Sequence, residues 1–239
     1  MDIYGNTQNN LLDMGWVKLT HIIYKEMLMF INKIGTQHLE IGMNCQDYGL
    51  EKDGLKLVCD GCSEGEHSEI GAKSYCHLAG LGYGVHQIFK RLIDMFGQST
   101  SSVKNFLCFT ILSVTENDDY FRVSYCGDGY IILEDLEGNI HFEELNDGEY
   151  PKYFAYNYCD SDALKYYKDG VEISEKEYSK REYKNIGIAS DGLRFIVKSD
   201  DEELKNEFIE LLKSGKPVKI KRFINRNQKI FKDDITIVF

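Results

Sequence analysis

A short apolar run ends on an acid and a glycine in the stretch Lys56-Leu57-Val58-Cys59-Asp60-Gly61-Cys62-Ser63-Glu64-Gly65. The run predicts a buried strand that stops at Asp60. A carboxylate at a strand end is fixed by the sheet and reachable from the loop, which suits a metal ligand. Asp-Gly is also ordinary turn sequence. The interpretation therefore depends on whether other acids share this setting.

The sequence on either side of this stretch predicts both strands and helices. Asp53-Gly54 lies between two short apolar runs and indicates a hairpin over residues 48–59. The apolar stripe over residues 68–96 predicts a helical region that the glycines at 80, 82 and 84 divide into two helices. Further helices are predicted over residues 200–212 and 218–227, before a final β-branched strand.

Residues 106–134 predict three successive strands. The runs 106–114, 120–126 and 130–134 are separated by the short turns 116–119 and 127–129. Apolar strands joined by tight turns favour an antiparallel meander.

The segments outside this pattern set the expected domain organisation. Residues 1–31 are an N-terminal extension in which an amphipathic helix over 11–23 and a short strand over 27–31 are expected to pack on the domain. Residues 32–239 form a single domain. Within it, residues 145–183 are polar, rich in tyrosine and without period, which predicts a flap-like insertion.

Composition narrows the function classes. The 239 residues carry a net charge of −11, which argues against a nucleic-acid or anionic-membrane partner. The sequence has no apolar window long enough to span a membrane and no signal-peptide pattern, and its seven cysteines lack framework spacing. These features predict a cytoplasmic protein with reduced thiols.

Four acids, Asp60 among them, occur in loops or at the ends of predicted strands. Asp47 lies in a loop, Asp60 and Asp191 follow apolar runs and precede glycine, and Asp233 begins the last strand. Mg²⁺ and Mn²⁺ prefer such oxygen ligands, whereas clustered carboxylates without a cation repel one another. The ordered set indicates a divalent-metal site.

The order and wording of five motifs resemble the PP2C-type (PPM) metal-dependent protein phosphatases, in their divergent microbial form. These motifs are Asn44-x-Gln46-Asp47, Val58-x-Asp60-Gly61, Cys126-Gly127-Asp128-Gly129, Ala189-Ser190-Asp191-Gly192 and Asp233-Asp234-Ile235-Thr236. The resemblance implies an α+β fold, a four-layer αββα sandwich of two antiparallel sheets flanked by helices.

The resemblance also implies a centre of two Mn²⁺ or Mg²⁺ ions. Asp60 would bridge them, the Gly61 carbonyl would complete one coordination shell, and Asp191 with Asp233 would hold the other ion. Asp128 matches the acid linked to a third, weaker ion in bacterial members. The implied reaction is hydrolysis of phosphoserine and phosphothreonine by a metal-bridging hydroxide. The expected substrates are proteins phosphorylated by a serine/threonine kinase. The phosphatase is expected to be a monomer.

The resemblance bears on three further roles. Asp47 and Gln46 match an early acidic pair that orders metal-bound waters, with Gln46 replacing a glutamate. The phosphate-binding arginine of the family is Gly42 here, and nearby His38 is a candidate to replace it. The histidine that follows Asp-Gly in eukaryotic members is Cys62, so protonation of the leaving group would fall to a metal-bound water or to another residue such as His67.

Two alternative functions remain open. The absent arginine favours a phosphatase-like binding or regulatory module with little turnover, whereas the intact acid set favours an enzyme. A phosphomonoesterase acting on a small molecule is the other alternative, because a fold alone does not identify a substrate.

Overall fold

The computed structural model describes residues 30–146, 152–159 and 167–239, in which ten strands form two antiparallel five-stranded sheets. The first sheet has the order β1-β10-β9-β6-β7 and the second β2-β3-β4-β5-β8. The strands are β1 Phe30–Lys33, β2 Tyr48–Lys52, β3 Leu55–Cys59, β4 Ile111–Glu116, β5 Tyr120–Cys126, β6 Gly129–Asp135, β7 Ile140–Leu145, β8 Ser174–Ser179, β9 Tyr183–Ala189 and β10 Ile235–Val238.

Helices cover the outer face of each sheet. They are α1 Thr36–Ile41, α2 Ser68–Ala79, α3 Val85–Phe96, α4 Arg194–Val197, α5 Glu202–Lys213 and α6 Pro217–Arg226. Shorter helical turns occur at Thr100–Ser102, Val103–Leu107, Phe154–Tyr158, Asp191–Leu193 and Gln228–Ile230. Within the described ranges, no helix combines the length and apolarity needed to cross a membrane.

Three buried apolar clusters define four layers. Side chains between the two sheets, such as Val58 and Ile131, form the central cluster. Cys59 points the other way and packs with α2 and α3, and Ile132 packs with α5 and α6. Neighbouring residues of one strand thus face opposite layers, as the alternation of a strand requires. The predicted four-layer αββα sandwich is confirmed.

The β2–β3 hairpin has the predicted turn. Asp53 (φ 50°) and Gly54 (φ 81°) both adopt left-handed backbone conformations, and Lys52 pairs with Leu55. Two successive residues with positive φ are the mark of a type I′ turn, which follows the right-handed twist of the strands it joins. This turn lies at the opposite end of β3 from Asp60.

The predicted three-stranded meander is wrong at its second turn. Strand β5 pairs with β4 and β8, whereas β6 pairs with β7 and β9 in the other sheet. Gly127-Asp128-Gly129 is therefore a crossover between sheets. Both glycines have positive φ and lack room for a side chain, since an added Cβ would lie 2.6 Å from Thr110 at Gly127 and 2.7 Å from Ala189 at Gly129. Local period does not report which strand a given strand will pair with.

The predicted insertion and extension also differ from the structure. Residues 174–179 form the edge strand β8 of the second sheet, not part of a flap. This strand was not recognised in the sequence because its residues are polar. An edge strand does not require alternating apolar residues, and this one also forms ion pairs such as Lys176–Glu143 at 2.5 Å. At the N-terminus, β1 pairs with β10, so residues 30 and 31 belong to the first sheet. The helix predicted over 11–23 lies outside the described residues.

Candidate metal centre

Four acids from separate segments meet at one end of the sandwich. Asp47 precedes β2, Asp60 follows β3, Asp191 follows β9 and Asp233 precedes β10. The charges of Asp47, Asp191 and Asp233 all raise the pKa of Asp60, in addition to the larger effect of its burial. The structure thus brings together the acids that the sequence singled out.

Asp47 is the most deeply buried of the four, with 3% of its surface exposed. The Ser190 hydroxyl donates to its Oδ2 at 2.5 Å, and the backbone N–H of Thr236 donates in turn to that hydroxyl at 2.9 Å. Its Oδ1 is buried without a hydrogen-bond partner. Burial and the neighbouring charge of Asp234 raise the pKa of Asp47 to about 8. A buried carboxyl oxygen without a donor is stabilised by a proton on the carboxyl or by a cation at Oδ1.

Asp60 is held through its backbone. The Thr110 hydroxyl accepts the Asp60 N–H at 3.1 Å, and the Asp60 carbonyl accepts the Thr110 N–H at 2.7 Å. Gly61 beside it is buried against α2 and the preceding loop. An added Cβ there would lie 2.5 Å from Ser68 Oγ and 2.8 Å from the Gln46 carbonyl. Only glycine fits at this position, and the use of its carbonyl as a ligand stays a prediction.

Arg194 joins two of the acids, which the sequence interpretation missed. Its Nη1 donates to Asp191 Oδ2 and its Nη2 donates to Asp233 Oδ2 at 3.0 Å. The side chain is 39% exposed, so the guanidinium lies at the mouth of the site. The sequence did contain a signal for this contact. Arg194 follows Asp191 by three residues, and residues three apart on a helical turn share a face. Burial raises the pKa of Asp191 to about 6 although Arg194 acts in the opposite direction.

Asp128 lies at the periphery of the site. Its charge contributes to the raised pKa of Asp191, and it is exposed. The crossover between the sheets carries it to this end of the molecule. An exposed single carboxylate near the others is compatible with a weaker ion, and this role stays a prediction.

Asp234 lies in a different environment from Asp233, and His38 is one of its contacts. Asp234 Oδ1 accepts the Gly35 N–H at 2.7 Å, and Oδ2 accepts the Gln46 N–H at 2.6 Å and lies 2.9 Å from His38 Nδ1. His38 is 5% exposed and Asp234 2%. The geometry thus gives His38 a structural contact, which speaks against its predicted use as a phosphate anchor.

Three other residues from the sequence interpretation have identifiable surroundings. Gln46 donates from Nε2 to the Gly65 carbonyl at 2.7 Å, and its Oε1 is buried without a partner. Gly42 ends α1 with φ 72°, a conformation that suits glycine and disfavours the arginine expected there. His67 is half exposed, and its Nδ1 lies 3.8 Å from Glu69. A role for His67 as general acid stays a prediction.

The donor set fits hard divalent cations. It consists of carboxylates with one backbone carbonyl, the oxygen ligands that Mg²⁺ and Mn²⁺ prefer. The buried, unpartnered Oδ1 of Asp47 is the observation that favours a cation here. Among the described residues, no three His, Cys, Asp or Glu side chains are close enough to enclose an ion as they stand. Arg194 holds Asp191 and Asp233 to its guanidinium, so these carboxylates would have to turn to share an ion.

Comparisons with known proteins agree with this architecture. The model of the family described as "Protein phosphatase 2C" matches residues 34–227. No curated protein sequence matches the chain.

Solved structures share the fold at low identity. The serine/threonine phosphatase Stp1 of Staphylococcus aureus has a TM-score of 0.58 and 14% identity, covering 87% of this chain and 91% of that one. PppA, described as a regulatory component of T6SS in Pseudomonas aeruginosa, has a TM-score of 0.55 and 15% identity over 87% and 93%. PstP of Mycobacterium tuberculosis has a TM-score of 0.53 and 12% identity over 87% and 94%. Another structure of the PstP catalytic domain contains two manganese ions.

Proposed function

Because the chain belongs to the protein phosphatase 2C family, we propose that it hydrolyses phosphoserine and phosphothreonine in proteins with the help of Mn²⁺ or Mg²⁺. The convergence of Asp47, Asp60, Asp191 and Asp233 carries this proposal. Four carboxylates in one place are unfavourable unless protons or cations compensate their charge. A phosphate ester is itself an anion, so cations at these acids would also make the site attractive to substrate.

The ligand assignment rests on the family resemblance. Asp60, Asp191, Asp233 and the Gly61 carbonyl are the groups that would hold two ions. Asp128 would contribute to a third, weaker ion. When bound, such a pair of cations lowers the pKa of a water molecule and balances the negative charge of the phosphoryl group.

Asp47 would handle the water. Ser190 fixes Oδ2 in place, while Oδ1 faces no donor. A carboxyl with a raised pKa and one unpartnered oxygen is suited to orient a water molecule and to accept its proton. Ser190 in turn accepts the N–H of Thr236 in β10, so Asp47 Oδ2 is connected through Ser190 to the strand that follows Asp233.

Arg194 would orient the acids and the substrate. Its two contacts set the side chains of Asp191 and Asp233. A guanidinium presents five N–H donors in a planar fork that matches phosphate oxygens. At the mouth of the site, Arg194 would provide positive charge for phosphate, because the arginine that the resemblance places at position 42 is glycine here.

The substrate class and setting follow from family membership. We expect a phosphoprotein produced by a serine/threonine kinase, a monomeric enzyme and a cytoplasmic location. The net charge of −11 favours a protein partner over nucleic acid. A binding module with little turnover and a small-molecule phosphomonoesterase are the alternatives, and the glycine at position 42 favours the former.

Hydrolysis of p-nitrophenyl phosphate and of a phosphothreonine peptide tests the proposal. We expect both to require Mn²⁺ or Mg²⁺ and to stop in excess chelator. Since metal ions supply several kcal/mol of charge stabilisation, Asp60→Asn should lower kcat/KM at least about 1,000-fold.

Asp53→Asn is the matched control, because Asp53 lies at the other end of β3 in a turn that asparagine adopts readily. It should leave the rate within about two-fold of the native chain, since surface changes away from a site have little effect. Mn²⁺ binding without turnover on either substrate would identify a binding module instead. Turnover of p-nitrophenyl phosphate but of no phosphopeptide would favour a small-molecule substrate.

A further inference from the structure

Two cysteines face each other beside the candidate metal centre. Gly61 and Phe109 form an antiparallel bridge between the chain segments that follow β3 and precede β4. Its flanking hydrogen bonds run from Thr110 N–H to the Asp60 carbonyl at 2.7 Å and from Cys62 N–H to the Cys108 carbonyl at 2.8 Å. Cys62 is therefore directly opposite Cys108.

This register places the two thiols within reach of each other. Side chains of directly opposed residues in an antiparallel pair lie on the same face. At a hydrogen-bonded position their Cα atoms are about 5.5 Å apart, and a disulfide needs about 4.4–6.8 Å. Both side chains also belong to the same apolar cluster, with Cys108 inside it and Cys62 packed against it.

Exposure distinguishes the two sulfur atoms. Cys62 is partly exposed, whereas Cys108 is 4% exposed. Burial raises the pKa of the Cys108 thiol to about 12. An oxidant in solution would therefore meet Cys62 first, and Cys108 would react second.

A second pair of thiols provides an internal comparison. Cys59 and Cys76 interact through their side chains, and both are fully buried between the second sheet and α2. Proximity alone would make this pair an equal candidate for oxidation. Access separates the pairs, because reactive cysteines are partly exposed and buried structural ones are inert.

We propose that Cys62 and Cys108 are a site of reversible oxidation, at which a peroxide converts the two thiols to a disulfide. The Cys62 sulfur attacks the peroxide oxygen, which breaks the O–O bond and gives a sulfenic acid and one water. The Cys108 sulfur then displaces the hydroxyl group as a second water. Two electrons and two thiol protons pass to the peroxide, and a dithiol reductant reverses the change. The linkage joins the residue after Gly61 to the segment that precedes Thr110, next to Asp60.

The experiment maps the thiols of the native chain after a small excess of hydrogen peroxide. The denatured, reduced chain has seven titratable cysteines. After peroxide we expect five, a mass loss of about 2 Da, one cross-linked peptide pair containing Cys62 and Cys108, and full recovery with dithiothreitol. Cys108→Ser should stop the reaction at a Cys62 sulfenic acid, which dimedone traps.

Cys159→Ser is the matched control, because Cys159 also lies near Cys108. The Cys62–Cys108 peptide should form in this variant as in the native chain. Mapping of the linkage to Cys59–Cys76 or to Cys159, or retention of all seven thiols, overturns the proposal. None of these measurements requires phosphatase activity, so they are independent of the function proposed above.

Discussion

Asp233 and Asp234 are neighbours in the chain, yet their carboxylates belong to two opposite environments. Asp233 joins the open acid cluster, formed by Asp47, Asp60, Asp191 and Asp233, in which burial and neighbouring carboxylates raise the pKa values of Asp47, Asp60 and Asp191. Asp234 forms the buried anchor, in which its oxygens meet the N–H groups of Gly35 and Gln46 and the ring of His38. The chain bends at Asp233 just before β10, and the two neighbouring side chains meet different partners.

The two environments serve different purposes, one the stability of the fold and the other the binding of cations. The buried anchor satisfies its charge with donors and ties α1 and the loop before Asp47 to the first sheet. The open acid cluster leaves Asp47 Oδ1 without a partner, so the metal-free chain is less stable while its ligands stay available for cations. Substitutions in the two environments should therefore change stability in opposite directions.

Asp234→Asn has the largest expected effect on stability. Asparagine has one acceptor oxygen where the carboxylate meets two N–H groups and a histidine, and its amide hydrogens would face donors. We expect a loss of about 3 kcal/mol in the free energy of unfolding, the upper range for hydrogen bonds to a charged group. Urea denaturation in chelator measures it. An unchanged midpoint would mean that the anchor does not hold the fold together.

Arg194→Met tests the link between the acids and the substrate. Methionine keeps the aliphatic length but removes the donors to Asp191 and Asp233. We expect KM for a phosphopeptide to rise about ten-fold, about 1.4 kcal/mol, with a smaller change in Arg194→Lys, which keeps the charge without the planar fork.

Calorimetric titration of Mn²⁺ without substrate separates two causes of that effect. Loss of a phosphate contact leaves metal affinity equal or higher, since the guanidinium no longer holds the two carboxylates. Weaker metal binding would show instead that Arg194 acts by positioning the ligands, and an unchanged KM would remove it from substrate binding.

Asp60→Asn should stabilise the metal-free chain, opposite to Asp234→Asn. The change removes one charge from the open acid cluster and offers amide donors to the unpartnered Asp47 Oδ1. We expect a gain of about 1 kcal/mol, the typical net value of a hydrogen bond. Urea denaturation in chelator measures this gain. The same variant should lose the rise in melting temperature that Mn²⁺ gives the native chain, and a destabilised variant would contradict the account of a repulsive cluster.

Part of this molecule was predictable from sequence, and local chemistry explains which part. Asp53-Gly54 specified its hairpin because few pairs of neighbouring residues both adopt positive φ angles readily. The acids of the open cluster were recognisable as an ordered set of motifs. Each of these signals is carried by residues that are adjacent in the chain.

The rest depends on pairings between distant segments. The turn at Gly127-Asp128-Gly129 is as short as a hairpin turn, and only the packed sheets reveal that it changes sheets. Contacts of Asp234 with His38 and of Arg194 with Asp233 join residues that are 196 and 39 positions apart. Asp234 looks in sequence like a second copy of Asp233, and its different role follows from its contacts with Gly35, His38 and Gln46.

The pH dependence of the metal-free chain tests the raised pKa values of the open acid cluster. Burial raises the pKa of Asp191 to about 6 and that of Asp47 to about 8, so the folded chain holds these protons more tightly than the unfolded chain does. The stability that these groups contribute should therefore be complete below about pH 4, the ordinary pKa of an aspartate, and be lost as pH rises to 6 for Asp191 and to 8 for Asp47. Melting temperature in chelator should fall by about 10 °C between pH 5 and 8, and Mn²⁺ at pH 8 should restore it. Asp47→Asn, which removes one of the three acids with a raised pKa, should make the dependence shallower. An equally steep dependence in that variant would show that Asp47 does not contribute to it.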